Sequence, residues 1–182
     1  MKRIIFVLAA VIFQHTLFAQ QSTFTLASKD LGGQFNKEYI FNSFGCTGTN
    51  KSPQLSWSNA PADTKSFAVT IYDPAAPTGS GWWHWVIFDI PANIAELKQG
   101  AGSTDTTLAP LGSIQGITDF GTAGYGGPCP PVGDAPHPYI ITVYALKTAK
   151  LGLDKKASPA LVGYMLSANV IAKASIIAYY KR

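Results

Sequence analysis

The stretch Asp73–Pro91, DPAAPTGSGWWHWVIFDIP, contains a complete connection between two strands. It begins with a carboxylate before proline, passes through a loop of proline and glycine, and continues as an apolar run. That run, Trp82–Ile90, carries a histidine, His84, among three tryptophans. Aromatic and β-branched runs bounded by glycine and proline are typical of strands. The stretch therefore predicts a strand that ends at Asp73 and a second strand with a histidine near its loop end.

Further segments have the same strand character. Ser66–Asp73 alternates, with Phe67, Val69 and Ile71 on one face, and Tyr139–Lys147 is rich in β-branched and aromatic residues. Shorter candidate strands are Phe24–Ala27, Tyr39–Phe44, Gln54–Trp57 and Ser175–Tyr180.

One helix is predicted near the C-terminus. Ser158 is a suitable N-cap, and Pro159 suits the first helical position. Helical spacing of apolar residues continues to about Lys173. We also expect a short helical turn within Pro91–Gly100. Together these elements predict a single mainly β domain of two packed sheets with a few peripheral helices.

The N-terminus has the features of a signal peptide. A basic start at Lys2 and Arg3 precedes an apolar run over residues 4–13, and Ala19 offers a small residue before a cut ahead of Gln20. A membrane anchor is the alternative, but the run is shorter than the ~20 residues that a spanning helix needs. We expect residues 1–19 to be removed, residues 20–182 to form the domain, and the protein to be periplasmic or secreted.

Charge argues against a nucleic-acid partner. Without residues 1–19, the chain has 12 basic and 10 acidic residues. The lysines are scattered, and Arg182 is the one arginine left. Nucleic-acid grooves normally show clustered lysine and arginine.

The two cysteines, Cys46 and Cys129, both lie in the predicted domain. An even number of cysteines in an exported chain favours a disulfide. Two free thiols or a metal pair are the alternatives, although neither cysteine belongs to a C-x-x-C motif.

His84 and His137 are the two histidines of the predicted domain. Alternation along the strand would place His84 on the core-facing side with Trp82, Val86, Phe88 and Ile90. A satisfied core histidine is therefore the alternative to a functional role.

Four polar side chains lie where strands meet loops of glycine and proline: Asp73, His84, His137 and Tyr139. Imidazole and phenol groups donate hydrogen bonds, and loop amides form anion-binding concavities. We therefore expect a small-anion site, in which Asp73 orients a histidine rather than touching the anion. Asp73 as a simple turn former is the alternative. The three tryptophans, Trp82, Trp83 and Trp85, are candidates to wall the site.

Two ordered motifs carry a family resemblance. Asp-Pro-x-Ala-Pro followed by His-Trp is matched at 73–77 and 84–85, and Gly-Pro-x-Pro-Pro, Gly and His-x-Tyr at 127–131, 133 and 137–139. Shorter matches lie at 52–53, 118–121 and 157–159. Over residues 23–181 the chain resembles the phosphatidylethanolamine-binding protein family, in particular its bacterial Raf-kinase-inhibitor-like branch.

The resemblance implies a two-sheet antiparallel β-sandwich with a small surface pocket for phosphate-like or carboxylate anions. It implies that the pocket is formed by Asp73, Trp82, His84, His137, Tyr139 and the backbone amide near Cys129. Two positions depart from the family pattern: Ala75 replaces a second aspartate, and Pro138 replaces a frequent arginine.

The sequence favours a binding protein for phosphate, phosphoethanolamine or a carboxylate, acting as an inhibitor or signalling modulator. A weak hydrolase that uses the Asp/His/Tyr pocket is the alternative. No G-x-S-x-G motif is present, so we assign no catalytic residue. We expect no cofactor and no metal, although Asp73, His84 and His137 form a two-His-one-carboxylate set. An unknown protein partner and a homodimer are both compatible with the sequence.

Overall fold

The structure is a computed structural model that describes residues 23–105 and 107–182. The signal peptide expected at residues 1–19 lies outside these ranges. No helix within them combines the length and the apolar character that crossing a bilayer requires.

The chain forms two antiparallel sheets and, among the described residues, one helix. In chain order the elements are β1 (Thr25–Ala27), β2 (Leu55–Ser58), β3 (Ser66–Asp73), β4 (Trp82–Pro91), β5 (Glu96–Leu97), β6 (Ile114–Gln115), β7 (His137–Leu146), α1 (Pro159–Asn169) and β8 (Val170–Tyr180). The small sheet has the order β1-β2-β5, and the large sheet has the order β6-β4-β3-β7-β8. The predicted mainly β fold with a helix near the C-terminus is confirmed.

The central strands β3 and β4 of the large sheet are buried on both faces, whereas β8 has an exposed face. The small sheet covers one face, and the helix with the segment before it covers the other. The core between the sheets includes Leu26, Leu55, Leu97, Ile71 and Ile141. The core on the helix side includes Val86, Phe88, Leu146, Val162 and Leu166. Full burial of one such side chain stabilises the fold by about 1.5–3 kcal/mol. Double-sided burial explains why β4 is apolar at both odd and even positions.

Strand β4 contains two bulges that break its alternation. Opposite β3, Trp83 pairs with Tyr72 but Trp85 pairs with Ile71, so His84 is an extra residue. An extra residue in one strand of an antiparallel pair bends the strand and re-aims a side chain. The prediction that His84 shares a face with Val86 and Phe88 is therefore wrong.

The second bulge lies near the far end of β4, where Asp89 has a φ of 58°. There Phe67 pairs with Ile90 and Val69 pairs with Ile87, which leaves one more residue on β4 than on β3. Ile90 consequently packs between the sheets rather than beside Phe88.

The predicted strand Tyr39–Phe44 is absent. Its backbone forms turns, with the amide of Tyr39 bonded to the carbonyl of Asn36 and the amide of Cys46 to that of Ser43. The amide of Phe41 donates to the carbonyl of Pro128 at 3.1 Å, so the segment lies against the second motif loop. Tyr39 and Ile40 join the core between the sheets, and Phe41 packs against Phe44 and Phe120.

The predicted helical turn and the predicted end of the C-terminal helix are also wrong. Within Pro91–Gly100 the chain forms β5 instead of a helical turn, because Leu97 pairs with Leu55 in the small sheet. The C-terminal helix ends at Asn169 rather than near Lys173. The next residues are β-branched and join β8, which pairs along the whole length of β7.

Candidate functional site

A cavity of about 140 Å³ opens where β3 ends and where β4 and β7 begin. It is much smaller than the 300–1,000 Å³ typical of drug-sized ligands. All six residues singled out in the sequence line it. The lining residues are Phe44, Asp73, Ala76, Pro77, Thr78, Trp82, His84, Phe120, Cys129, Pro130, Pro131, His137 and Tyr139.

His84 is fixed by two reciprocal hydrogen bonds to Gly126. Its ring Nδ1 lies 2.7 Å from the carbonyl oxygen of Gly126, and the amide of Gly126 donates to the carbonyl of His84 at 2.8 Å. A carbonyl only accepts, so Nδ1 carries the hydrogen, and in the neutral ring Nε2 is left as an acceptor. Burial lowers the pKa of His84 to about 4, despite the opposing effects of the Gly126 carbonyl and the charge of Asp73. At neutral pH His84 is therefore an uncharged acceptor.

His137 lies between two carboxylates. Its Nδ1 is 2.7 Å from Oδ2 of the buried Asp73, and its Nε2 is 3.2 Å from Oδ2 of the half-exposed Asp134. Each ring nitrogen of His137 therefore faces one carboxylate oxygen. The carboxylate of Asp73 also accepts a hydrogen bond from the backbone amide of Ala75 at 2.9 Å. Asp73 is therefore both a turn former and the group that orients His137.

Tyr139 places a hydroxyl in the wall of the site, beside Asp73. Its side chain is fully buried, and its hydroxyl makes no close hydrogen bond among the described residues, although the Asp73 carboxylate lies near it. Burial, followed by the charge of Asp73 and contact with its carboxylate, raises the pKa of Tyr139 far above its usual value, so the hydroxyl keeps its hydrogen. The ring packs edge-on against His84, with centroids 5.0 Å apart. The buried hydroxyl is thus a donor that lies beside Asp73 without a close hydrogen bond.

Aromatic side chains form the wall of the cavity. Trp82 meets Phe120 edge-on at a centroid distance of 5.4 Å, and Phe44 stacks on Phe120 at 6.0 Å. The other two tryptophans do not line the cavity. Trp85 is a core residue whose Nε1 donates to Gln115 at 2.7 Å, and Trp83 packs against Tyr72. Of the three candidate wall tryptophans, the structure places Trp82 alone in the wall.

Residues 129–131 form the far lip of the cavity. The predicted disulfide is present between Cys46 and Cys129 and holds this lip in place. Arg182 adds a second tie, because its guanidinium donates to the carbonyl of Pro130 at 2.7 Å and to that of Phe44 at 3.4 Å. Among the described residues, the Cys129 amide makes no hydrogen bond within the chain. The loop is therefore anchored twice, and its Cys129 amide is not used within the described chain.

Sequence reasoning missed four residues of this site: Phe44, Phe120, Asp134 and Arg182. Phe120 lies in the matched stretch 118–121, but nothing in that stretch indicates a wall. Asp134 precedes His137 by three residues in a glycine-containing turn, which is the one local signal that could have linked them. Within the described ranges, no three His, Cys, Asp or Glu side chains are grouped as a metal site.

Comparisons with known sequences agree with this architecture. The family model "Phosphatidylethanolamine-binding protein" matches residues 16–181. UPF0098 protein YbcL of Escherichia coli K12 is 50% identical over 177 residues, which cover 96% of this chain and 97% of that protein. UPF0098 protein YbhB of the same organism is 47% identical over 157 residues, covering 85% of this chain and 98% of that protein.

Solved structures give the same result. The crystal structure of E. coli YbcL, described as a new member of the mammalian PEBP family, matches with a TM-score of 0.86 and 52% identity, over 88% of this chain and 99% of that chain. A homolog from Chlamydia trachomatis matches with a TM-score of 0.72 and 27% identity, over 87% of this chain and 97% of that chain. This chain therefore belongs to the phosphatidylethanolamine-binding protein family.

Proposed function

We propose that this chain is an exported protein whose cavity binds a small anionic group: phosphate, the phosphate of phosphoethanolamine, or a carboxylate. The observation that carries the proposal is the buried hydroxyl of Tyr139 in the cavity wall, which makes no close hydrogen bond within the described chain. A buried polar group without a partner costs about 1–3 kcal/mol. A bound oxygen atom that accepts this hydrogen removes that cost.

The size and the lip of the cavity support the same proposal. About 140 Å³ suits a phosphate-sized group rather than a whole lipid. Cys129 lines the cavity and its backbone amide makes no hydrogen bond within the described chain, so it is the candidate for a second donor. Arg182 adds positive charge behind the lip, through its bonds to Pro130 and Phe44. If the anion belonged to a partner protein, binding it would serve an inhibitory or signalling role.

A hydrolase is the weaker candidate, because the cavity lacks a free nucleophile. Apart from Tyr139, Thr78 is the one hydroxyl among the described lining residues. Its hydrogen is engaged with the carbonyl of Gly81 at 2.5 Å. Among the described residues, the Thr78 hydroxyl makes no hydrogen bond to His84 or His137.

The variant Tyr139→Phe tests the proposal by removing only the hydroxyl. We expect isothermal titration with phosphate, phosphoethanolamine and acetate to show binding to the wild type. For the ligands that bind, the affinity should fall about 10- to 100-fold in the variant, the usual worth of a hydrogen bond to a charged group. The free energy of unfolding should be unchanged or higher, because the lost hydroxyl is unsatisfied.

Tyr125→Phe is the matched control. The Tyr125 hydroxyl is also buried, but it donates to the carbonyl of Tyr39 at 2.6 Å. We expect this variant to lose stability and to keep its anion affinity. Absence of heat with all three ligands, or equal affinity in wild type and Tyr139→Phe, would contradict the proposed function.

The neutral state of His84 predicts a pH-dependent stability. Its pKa falls from 6.5 in the unfolded chain to about 4 in the fold. Above pH 6.5 His84 is neutral in both the folded and the unfolded chain, so its protonation does not reduce the free energy of unfolding. Between pH 6.5 and 4 only the unfolded chain takes up the proton, so folding loses about 3 kcal/mol by pH 4. Urea unfolding at pH 7 and pH 5 should show a loss that is smaller in His84→Gln by about 2 kcal/mol. Identical pH dependence in both proteins would refute the neutral state.

We expect the disulfide to hold the binding loop in position as well as to stabilise the fold. It closes a separation of 83 residues, and the chain-entropy model assigns such a loop roughly 4–5 kcal/mol of stability. It also holds Cys129 in place, and a preorganised loop lowers the ordering cost of binding. The double variant Cys46→Ala/Cys129→Ala should therefore bind phosphate more weakly under conditions in which circular dichroism shows it folded. Wild-type affinity in the folded variant would mean that the bridge is purely structural.

A further inference from the structure

The cavity offers an anion few free hydrogens. Within the described chain, no lysine or arginine lines it. Both ring nitrogens of His137 already face carboxylates, at 2.7 Å and 3.2 Å. Among the described lining residues, the indole Nε1 of Trp82 and the backbone amide of Cys129 make no hydrogen bond within the chain, and the Tyr139 hydroxyl makes no close one. The ligand oxygens that these donors cannot reach must find another kind of partner.

His84 supplies an acceptor rather than a donor. The carbonyl of Gly126 takes the Nδ1 hydrogen, so Nε2 of the neutral ring has a lone pair. Burial disfavours protonation of Nε2, and the effect of burial is larger than that of the nearby carboxylate charges, which favour protonation. The titratable groups around the ring are Asp73 on β3, His137 and Tyr139 on β7, and the loop carboxylates Asp119 and Asp134.

A lone pair at this position discriminates between anions. An oxygen without a hydrogen repels the lone pair of Nε2, whereas a ligand O–H donates to it. Sites that are built to pair with a ligand O–H reject analogues that lack it, because a buried polar group is then left unpaired. Sulfate and a phosphomonoester have the same tetrahedral shape, but at neutral pH only the phosphomonoester monoanion carries an O–H.

We propose that the cavity selects an anion that brings its own hydrogen, such as the monoanion of a phosphomonoester, over a fully deprotonated tetrahedral anion such as sulfate. In the bound state the Tyr139 hydroxyl donates to one ligand oxygen, and the ligand O–H donates to Nε2 of His84. This selectivity rests on the proposed anion-binding function and specifies the protonation state of its ligand.

Titration calorimetry with methyl phosphate and with sodium sulfate, at constant ionic strength, tests the selectivity. At pH 6 we expect methyl phosphate to bind at least about 10-fold more tightly than sulfate. The second pKa of a phosphomonoester is about 6, so the monoanion becomes scarce above that pH. The affinity for methyl phosphate should therefore fall about 10-fold from pH 7 to pH 8. At pH 8, buffers of different ionisation enthalpy should report the uptake of about one proton per bound anion.

His84→Gln provides the matched variant, because an amide offers hydrogens where the ring offers a lone pair. The ratio of methyl phosphate affinity to sulfate affinity should fall several-fold in this variant. If the variant does not fold, the wild-type ratio and pH slope decide alone.

The outcomes separate the two claims. No heat with either anion contradicts the proposed function itself. An affinity for sulfate equal to that for methyl phosphate contradicts only the selectivity. If the affinity for sulfate rises as the pH falls by the same factor as the affinity for methyl phosphate, the protein and not the ligand carries the proton. That result would also overturn the selectivity.

Discussion

The site depends on the pair of hydrogen bonds between His84 and Gly126. One bond joins the two backbones at 2.8 Å, and the other joins the buried ring to the carbonyl at 2.7 Å. Together they tie the start of β4 to the loop that carries the opposite lip. Only glycine fits at this crossing, because a Cβ on Gly126 would lie 2.3 Å from the ring of Phe120, and one on Gly127 would lie 2.2 Å from the carbonyl oxygen of Tyr39. The close approach of the chains therefore fixes the tautomer of His84.

The remaining contacts hold the other walls around this point. The buried pair of Asp73 and His137 joins the ends of β3 and β7. The disulfide at Cys129 and the guanidinium of Arg182 hold the outer loop. Nε2 of His84 then makes no hydrogen bond among the described residues, and the buried hydroxyl of Tyr139 makes no close one. The same constraint that builds the cavity thus determines which atoms are left for a ligand.

The sequence predicted what depends on local pattern. Strand β3 matches its predicted range Ser66–Asp73, and the Pro-capped helix begins where Ser158 indicates. Asp73, His84, His137 and Tyr139, which were expected to form one small-anion site, do line one cavity. Contacts between distant segments escaped prediction: Phe120 meets Trp82 across 38 positions, and Arg182 returns to Pro130 across 52. The bulge at His84 depends on the register of the neighbouring strand, so alternation assigned that side chain to the wrong face, and its role as an acceptor could not be anticipated.

The central claim is that the fold holds His84 as a neutral ring with its hydrogen on Nδ1 and a lone pair on Nε2. Nitrogen-15 NMR of the histidine side chains in the free protein reports this tautomer directly. The account predicts that at pH 7 Nδ1 of His84 is protonated and Nε2 is not, and that this state persists to pH 5, since the pKa is about 4. A hydrogen on Nε2 at pH 7, in either the other tautomer or the imidazolium, would contradict it.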